Sequence, residues 1–367
     1  MAERIRIGVI GVGQIGKHHL REYAKIPEAH IVAVADVNEA EARKVAAEFN
    51  IPQVFSDFRK LLEQKDLDAV DVCLHNNFHA PVTIAGLEAG KHVYCEKPMA
   101  GSYRDARAMQ EASKRTGRKL HIQLANLYSP EHKTAKRLIV EGQLGKIYHA
   151  RSSGYRRRGR AFVDGYGSPT FVQKNSAQGG ALYDMGIYHI AQVLDLLGNP
   201  DVETVSGATH QEIPMYEDRK ASSGYSVEEF AVGFVRLRGG VTLDIEEAWA
   251  VHYDESESSK ILGALGGIKL HPFTFFAKAG DMEYTANMDL QALDRRWHNT
   301  QPDYAAYDGS QQHWVAVLQG KAELLPTAAL ALNVSLISEG IYLAQERHRE
   351  LNASEIAEAS KSTAVKL

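Results

Sequence analysis

At 367 residues, with 44% apolar and 24% charged side chains, the chain has a globular composition and the length of two domains, which excludes disordered and fibrous classes. A net charge of −4 with no separate basic block argues against nucleic acid or an anionic membrane surface as partners. The two cysteines, Cys73 and Cys95, each sit inside an apolar run and read as buried, reduced thiols rather than a disulfide framework.

The chain opens from Met1 into an apolar segment of only a few residues, too short for a secretory signal. Over the first 120 or so residues, short β-branched runs at 5–10, 31–35, 69–74 and 91–95 alternate with helix-period segments at 15–23, 39–49, 58–63 and 80–89. A further helix at 102–116 and a strand at 119–124 follow. Apolar strands alternating with helices predict a parallel, doubly wound sheet covered on both faces.

After Tyr128 the rhythm changes. Ser129-Pro130 reads as a cap and first-turn proline opening a helix through Glu141. Strand-like runs then dominate, at 147–154, 202–209, 230–238, 241–249 and 260–265, with a hairpin turn over 237–241. Helices are predicted at 180–197, 310–318 and 327–346, and the stretch 155–176 is a long basic loop, either functional or mobile. The nearly uncharged stretch 326–344 carries Asn333, Ser335 and Glu339, which suits a buried helix better than a membrane span. The expected architecture is an α/β domain over 1–125 and an α+β domain with a large, mainly antiparallel sheet over 126–367. A cytoplasmic location and no membrane association are expected.

Gly11-Val-Gly13-Gln14-Ile15-Gly16 follows the first strand and opens the first helix. Glycines at this spacing permit the tight turn and let backbone N–H groups reach a pyrophosphate at the helix N-terminus. Asp36 ends the second strand, where a carboxylate accepts from ribose hydroxyls and repels a 2′-phosphate, so NAD is preferred over NADP. The loop after the next strand, Cys73-Leu74-His75-Asn76-Asn77-Phe78-His79, lines the same crevice; Asn76 and His79 either touch cofactor or cap the following helix. Glu96-Lys97-Pro98 ends another strand. An ammonium there can hydrogen-bond a substrate hydroxyl and polarise a forming carbonyl, with Glu96 holding it in place.

Three ordered segments carry a resemblance. The glycine loop, the run from Glu88 to Pro98 and Gly179-Gly-Ala-Leu-Tyr-Asp-Met-Gly-Ile-Tyr-His189 resemble the glucose–fructose oxidoreductase / inositol dehydrogenase / rhizopine catabolism family over nearly the whole chain. The resemblance implies a Rossmann domain followed by an open-faced antiparallel sheet, NAD(P)-dependent oxidation of a pyranose or cyclitol hydroxyl, and a homodimer or homotetramer. It makes Lys97 the catalytic lysine and Asp184 the aspartate opening the second catalytic motif. Positions four apart share a helix face, which brings Tyr188 beside Asp184. Many relatives have histidine where this chain has Tyr188, and His189 follows, so either can take the proton; register favours Tyr188. Relatives also have an asparagine–arginine pair where this chain reads Asn126-Leu127, and a proline at His75. Among cofactor contacts the resemblance includes Gly11, Gly13, Gln14, Ile15, Gly16, Asp36, Leu74, His75, Asn76, His79, Glu96, Lys97 and Asn126.

Substrate contacts are expected from Tyr155, Arg156, Arg158 and Lys174, in addition to Lys97, Asp184, Tyr188 and His189. The arginine run 156–158 with Arg160 suits anions or sugar hydroxyls, or a solvated strand end. No metal is expected. Oxidation at C3 of a glucoside-type ring is the leading expectation. The rivals are an NAD-dependent glycosidase or lyase-like enzyme without net redox, and a non-catalytic NAD-binding sensor.

Overall fold

A computed structural model of the chain describes residues 4–253 and 258–367; the opening Met1 lies outside them. Strands β1 (Ile5–Ile10), β2 (Ala29–Ala35), β3 (Gln53–Phe55), β4 (Ala69–Val72), β5 (His92–Cys95) and β6 (Leu120–Ile122) form a parallel sheet in the order β3-β2-β1-β4-β5-β6. Helices α1 (Gln14–Tyr23), α2 (Glu39–Phe49), α3 (Phe58–Leu62), α4 (Asn76–Glu88) and α5 (Tyr103–Thr116) connect them. Strand β4 is buried at every position, as both-face coverage demands. The sequence pattern shows neither β3, only three residues long, nor the first turn of α4, where Asn76-Asn77 looks like loop chemistry.

The helix ends differ in a telling way. Asn38, Ser102 and Ser129 each cap a helix by accepting from a backbone N–H two or three positions inside it. Helix α1 has Gly13 at that position and no side-chain cap, so its first-turn N–H groups remain open to a ligand.

Beyond α6 (Pro130–Val140) lies a nine-stranded sheet. Its strands are β7 (Ile147–Tyr155), β8 (Val202–His210), β9 (Phe230–Leu237), β10 (Val241–Ala248), β11 (Lys260–Gly263), β12 (Gly266–Lys269), β13 (Thr274–Ala279), β14 (Met282–Ala286) and β15 (Leu351–Asn352). The order is β14-β13-β12-β11-β7-β10-β9-β8-β15, antiparallel except where β10 runs parallel to β7. Inward Ala231, Gly233, Val235 and Leu237 alternate with outward residues on β9, so one face is packed and the other open. Against the packed face lie α8 (Ile187–Leu196) and α12 (Thr327–Arg347), whose Leu330, Val334, Ile337 and Ile341 are fully buried. Short helices α7 (Lys174–Ala177), α9 (Glu217–Ser223), α10 (Leu290–Thr300), α11 (Ser310–Leu318) and α13 (Ala353–Ala359) complete the chain.

The two halves interlock. Trp314 and Val315 of α11 pack with Ile5, Ile7, Tyr23 and Tyr94 against the first sheet, and Thr327 Oγ1 accepts from Ile122 N. The stretch 155–176, expected to be functional or mobile, is pinned by Arg160. This guanidinium is wholly buried and satisfied by Asp164, Glu229 and the carbonyls of Ile213 and Pro214.

Candidate active site

The glycine loop divides its three roles as the motif requires. Gly11 has φ +94°, and a Cβ there would lie 2.4 Å from Cys73 O; at Gly16 it would lie 2.1 Å from Gly11 O. These two glycines let loop, strand and helix touch. Gly13 faces open space, which leaves room for a pyrophosphate at the α1 N-terminus. Asp36 closes the loop from β2, its Oδ2 accepting from Val12 N at 2.9 Å and its Oδ1 from Asn38 N at 2.9 Å. Gln14 and Ile15 begin α1, and Ile15 is exposed. These residues fit a dinucleotide.

Leu74 packs on Gly11, and His75 stands at the α4 N-cap without a side-chain bond. Asn76 donates to Ala177 O at 2.7 Å, tying α4 to the second domain. His79 is fully enclosed between the carbonyls of Pro98, at 2.7 Å, and Leu74, at 3.0 Å. It braces the turn that presents Lys97 instead of lining the crevice or capping the helix. Glu96 is also enclosed, with one oxygen on His19 and the other accepting from Lys97 N; it too supports Lys97 from below. Asn126 lies half-buried on a short turn after β6, its carbonyl accepting from Gln192 and Ser129.

Lys97 Nζ donates to Asp184 Oδ1 at 2.9 Å and to Asp184 O at 3.1 Å, and stands 4.9 Å from the centre of the Tyr188 ring. Burial works against the ammonium, but Asp184, Tyr188 and Glu96 outweigh it and lift the lysine above its ordinary range. Lys97 is therefore a permanent cation. Asp184 is desolvated too, yet Lys97 holds its carboxyl below the usual range, helped by Arg156 and Trp249. Its Oδ2 accepts from Trp249 Nε1 at 2.9 Å and lies 3.4 Å from Arg156 Nη1.

The segment carrying Asp184 is a π-helical turn, Leu182–Gly186, running into α8. Bonding from i to i+5 widens the turn, so the four-residue spacing used in the sequence reading does not hold there. Its start is fastened by Glu228, a buried carboxylate accepting from Gly180 N and Leu182 N. Burial pushes the Tyr188 phenol up to about 12 despite Lys97. His189 Nδ1 rests on Glu247, 2.9 Å from Oε2, and Glu247 is wholly buried with Ser152 donating to it. Burial depresses the imidazole, but Glu247 overrides it and raises His189 above its ordinary value. Among the described residues, His189 Nε2 has no protein partner.

Arg156 reaches the centre; its Nη1 also donates to the Tyr166 hydroxyl at 2.6 Å. Tyr155 precedes it at the end of β7, edge-on to Tyr253. Arg158 turns toward Asp164 and the Tyr216 ring, and Lys174 lines a separate cavity of about 200 Å³ with His210, Glu228 and Tyr342. The structure thus gathers Lys97, Asp184, Tyr188, His189 and Arg156, and leaves Arg158 and Lys174 outside. Sequence reasoning missed Trp249, Glu247, Glu228 and His19. Each acts through a partner 46 to 77 residues away, so no local pattern marks it.

A dinucleotide-binding α/β domain whose crevice meets a lysine–aspartate pair presented across a domain junction defines a class of two-domain oxidoreductases. The chain belongs to the GFO/IDH/MocA oxidoreductase family: residues 5–124 match its NAD-binding Rossmann fold and residues 132–269 its C-terminal domain. It is 29% identical over 350 residues to a D-glucoside 3-dehydrogenase of Escherichia coli (strain K12), covering 93% of this chain and 95% of that one. It is 28% identical to an NAD(+)-dependent scyllo-inositol 2-dehydrogenase of Bacillus subtilis (strain 168), over 92% and 93% of the two chains. A solved levoglucosan dehydrogenase, in complex with NADH and levoglucosan, shares the fold with a TM-score of 0.78 at 22% identity, over 96% of this chain and 100% of that one.

Proposed function

We propose that the protein oxidises a ring hydroxyl of a pyranoside or cyclitol, with C3 of a glucoside as the leading position. The observation that carries this reading is the Lys97–Asp184 pair, a desolvated cation held at the mouth of an NAD-binding crevice. NAD, held at the glycine loop with Asp36 on its ribose, supplies the acceptor for the hydride leaving the substrate carbon. The chain's own residues do the rest. Lys97 donates to the reacting oxygen and stabilises it as its charge grows. Because Lys97 keeps its proton, the base is elsewhere. Tyr188, with its phenol at about 12, stays protonated at neutral pH and donates. His189, backed by Glu247 and with Nε2 unpartnered among the described residues, accepts the hydroxyl proton. The Arg156 guanidinium, steadied by the Tyr166 hydroxyl, supplies donors for neighbouring ring hydroxyls. The similarity to dehydrogenases named for glucosides and inositols supports this substrate class.

The test is a panel of glucosides, inositols and anhydrosugars scored by NADH appearance. Lys97→Ala should lower turnover by about 10²–10⁴ while NAD still binds. His189→Asn should lose turnover more than Tyr188→Phe; the reverse order would assign the proton to Tyr188. Retained turnover in Lys97→Ala would end the reading.

The same proposal takes the enzyme as cytoplasmic, supported by the two buried free thiols. It also takes it as a homodimer or homotetramer joined through the open sheet face, where Val232 and Phe276 are exposed. A monomer in light scattering would refute the assembly.

A further inference from the structure

Beneath the catalytic strand end lies a buried charge cluster. His19 projects from α1 into the sheet, and both ring nitrogens end on carboxylates: Nδ1 is 2.9 Å from Asp71 Oδ2, and Nε2 is 2.8 Å from Glu96 Oε1. His19 and Asp71 are fully enclosed and Glu96 is 4% exposed. A neutral imidazole offers one N–H, so two anionic acceptors call for an imidazolium. Burial opposes that charge, but Asp71 and Cys73, with their hydrogen bonds, outweigh it and raise His19 well above its ordinary value. Cys73 Sγ lies 3.2 Å from Nδ1, and Tyr94 stands edge-on to the ring at 5.6 Å. Tyr23, on α1 itself, is buried in the same interior.

Glu96 is the link outward. Its second oxygen accepts from the backbone N of Lys97 at 2.9 Å. Charges therefore alternate from the sheet interior to the cleft: Asp71, His19, Glu96, Lys97, Asp184, Arg156. A buried ion cluster is seldom worth more to stability than apolar packing of the same volume, so it points to a role besides stability. Helix α1 is also the helix whose N-terminus faces the pyrophosphate position.

Resting on the assignment of Lys97 above, we propose that His19 is a positioning residue. Through Glu96 it ties the pyrophosphate-facing helix to the backbone at Lys97, and so aims the ammonium at the reacting oxygen. His19 touches neither substrate nor reacting atoms.

Two measurements test this. In the wild-type protein without cofactor, histidine NMR should find the His19 ring as an imidazolium at a pH where a free imidazole, pKa about 6.5, is neutral. A neutral ring, or a stoichiometric metal bound by His19, Asp71 and Cys73, would overturn the proposal. In kinetics, His19→Gln should lower kcat by up to about 100-fold, the scale of a misplaced reacting group, with NAD affinity and substrate KM unchanged. Glu96→Gln should do the same, and the double variant should lose little more than either single one. If His19→Gln does not fold, Glu96→Gln and the NMR measurement decide. Normal kcat in His19→Gln alongside a dead Lys97→Ala overturns this proposal alone, whereas an active Lys97→Ala overturns the reading beneath it.

Discussion

Gly154→Ala separates His189 from Tyr188 without removing an ionisable group. A Cβ at Gly154 would lie 2.2 Å from His189 Cε1 and 2.6 Å from Nδ1, short of an ordinary 3.4 Å contact by about 1.2 Å. The ring has little freedom to retreat, because the same Cβ would press Glu247 Oε2 at 2.9 Å, and Glu247 is wholly buried. Overpacking of this kind costs about 1–3 kcal/mol and lowers the melting temperature. The kinetic effect is larger. A reacting group displaced by about 1 Å loses on the order of 10² in rate, so kcat should fall by about that factor. Tyr188 and Lys97 remain in place, so NAD affinity should hold. Steady-state NADH formation, NAD titration by fluorescence and a thermal melt together provide the readout. Unchanged kcat with a lowered melting temperature would show that His189 can move without consequence, and the proton would belong to Tyr188.

Trp249→Phe removes a buried donor from Asp184 and should cost about 1–3 kcal/mol of stability, together with reduced turnover, by melting and kinetics. Glu247→Gln tests linkage. His189 is raised in the folded protein, so the pair's stability is fully present below the unfolded pKa of about 6.5 and lost as pH rises through the folded value. The variant should therefore lose more stability in mildly acidic than in alkaline buffer. If His189 is the base, the acid limb of kcat/KM should move to lower pH in the same variant. Asp36→Ala removes the acceptor that closes the glycine loop and should weaken NAD while relieving the bar against NADP, read as a change in the ratio of the two affinities.

The first sheet was legible because its strands are covered on both faces and its helices carry their own punctuation, such as Ser102 before α5 and Gly117 after it. The second sheet was legible only where one face is buried, as on β9 and β10. Its edge was not: β12 opens on Gly266-Gly267, and β14 is almost wholly exposed, so neither shows alternation. The site divides the same way. Gly11, Asp36 and Lys97 stand at strand ends, where topology alone directs them to the crevice. Arg158 was indistinguishable from Arg156 in sequence; the difference is whether Asp164 or Asp184 faces each arginine. The π turn was hidden in sequence, and the contact that fastens its start, Glu228 accepting from Gly180 N and Leu182 N, comes from a distant strand connection.

Lys97 has little donor capacity to spare. An ammonium has three N–H donors, and Asp184 takes two of them, through Oδ1 and its backbone carbonyl. One donor is left for substrate unless the aspartate is given up. Lys97 therefore fixes a single oxygen, and orientation of the ring falls to groups around it, Arg156 and His189 among them. Lys97→Arg preserves the charge but replaces a compact donor by a planar fork that cannot serve Asp184 twice from one nitrogen while reaching inward. The variant should bind NAD normally and fold, with turnover close to that of Lys97→Ala. Substantial activity in Lys97→Arg would mean that charge alone suffices and that the single-donor geometry is incidental.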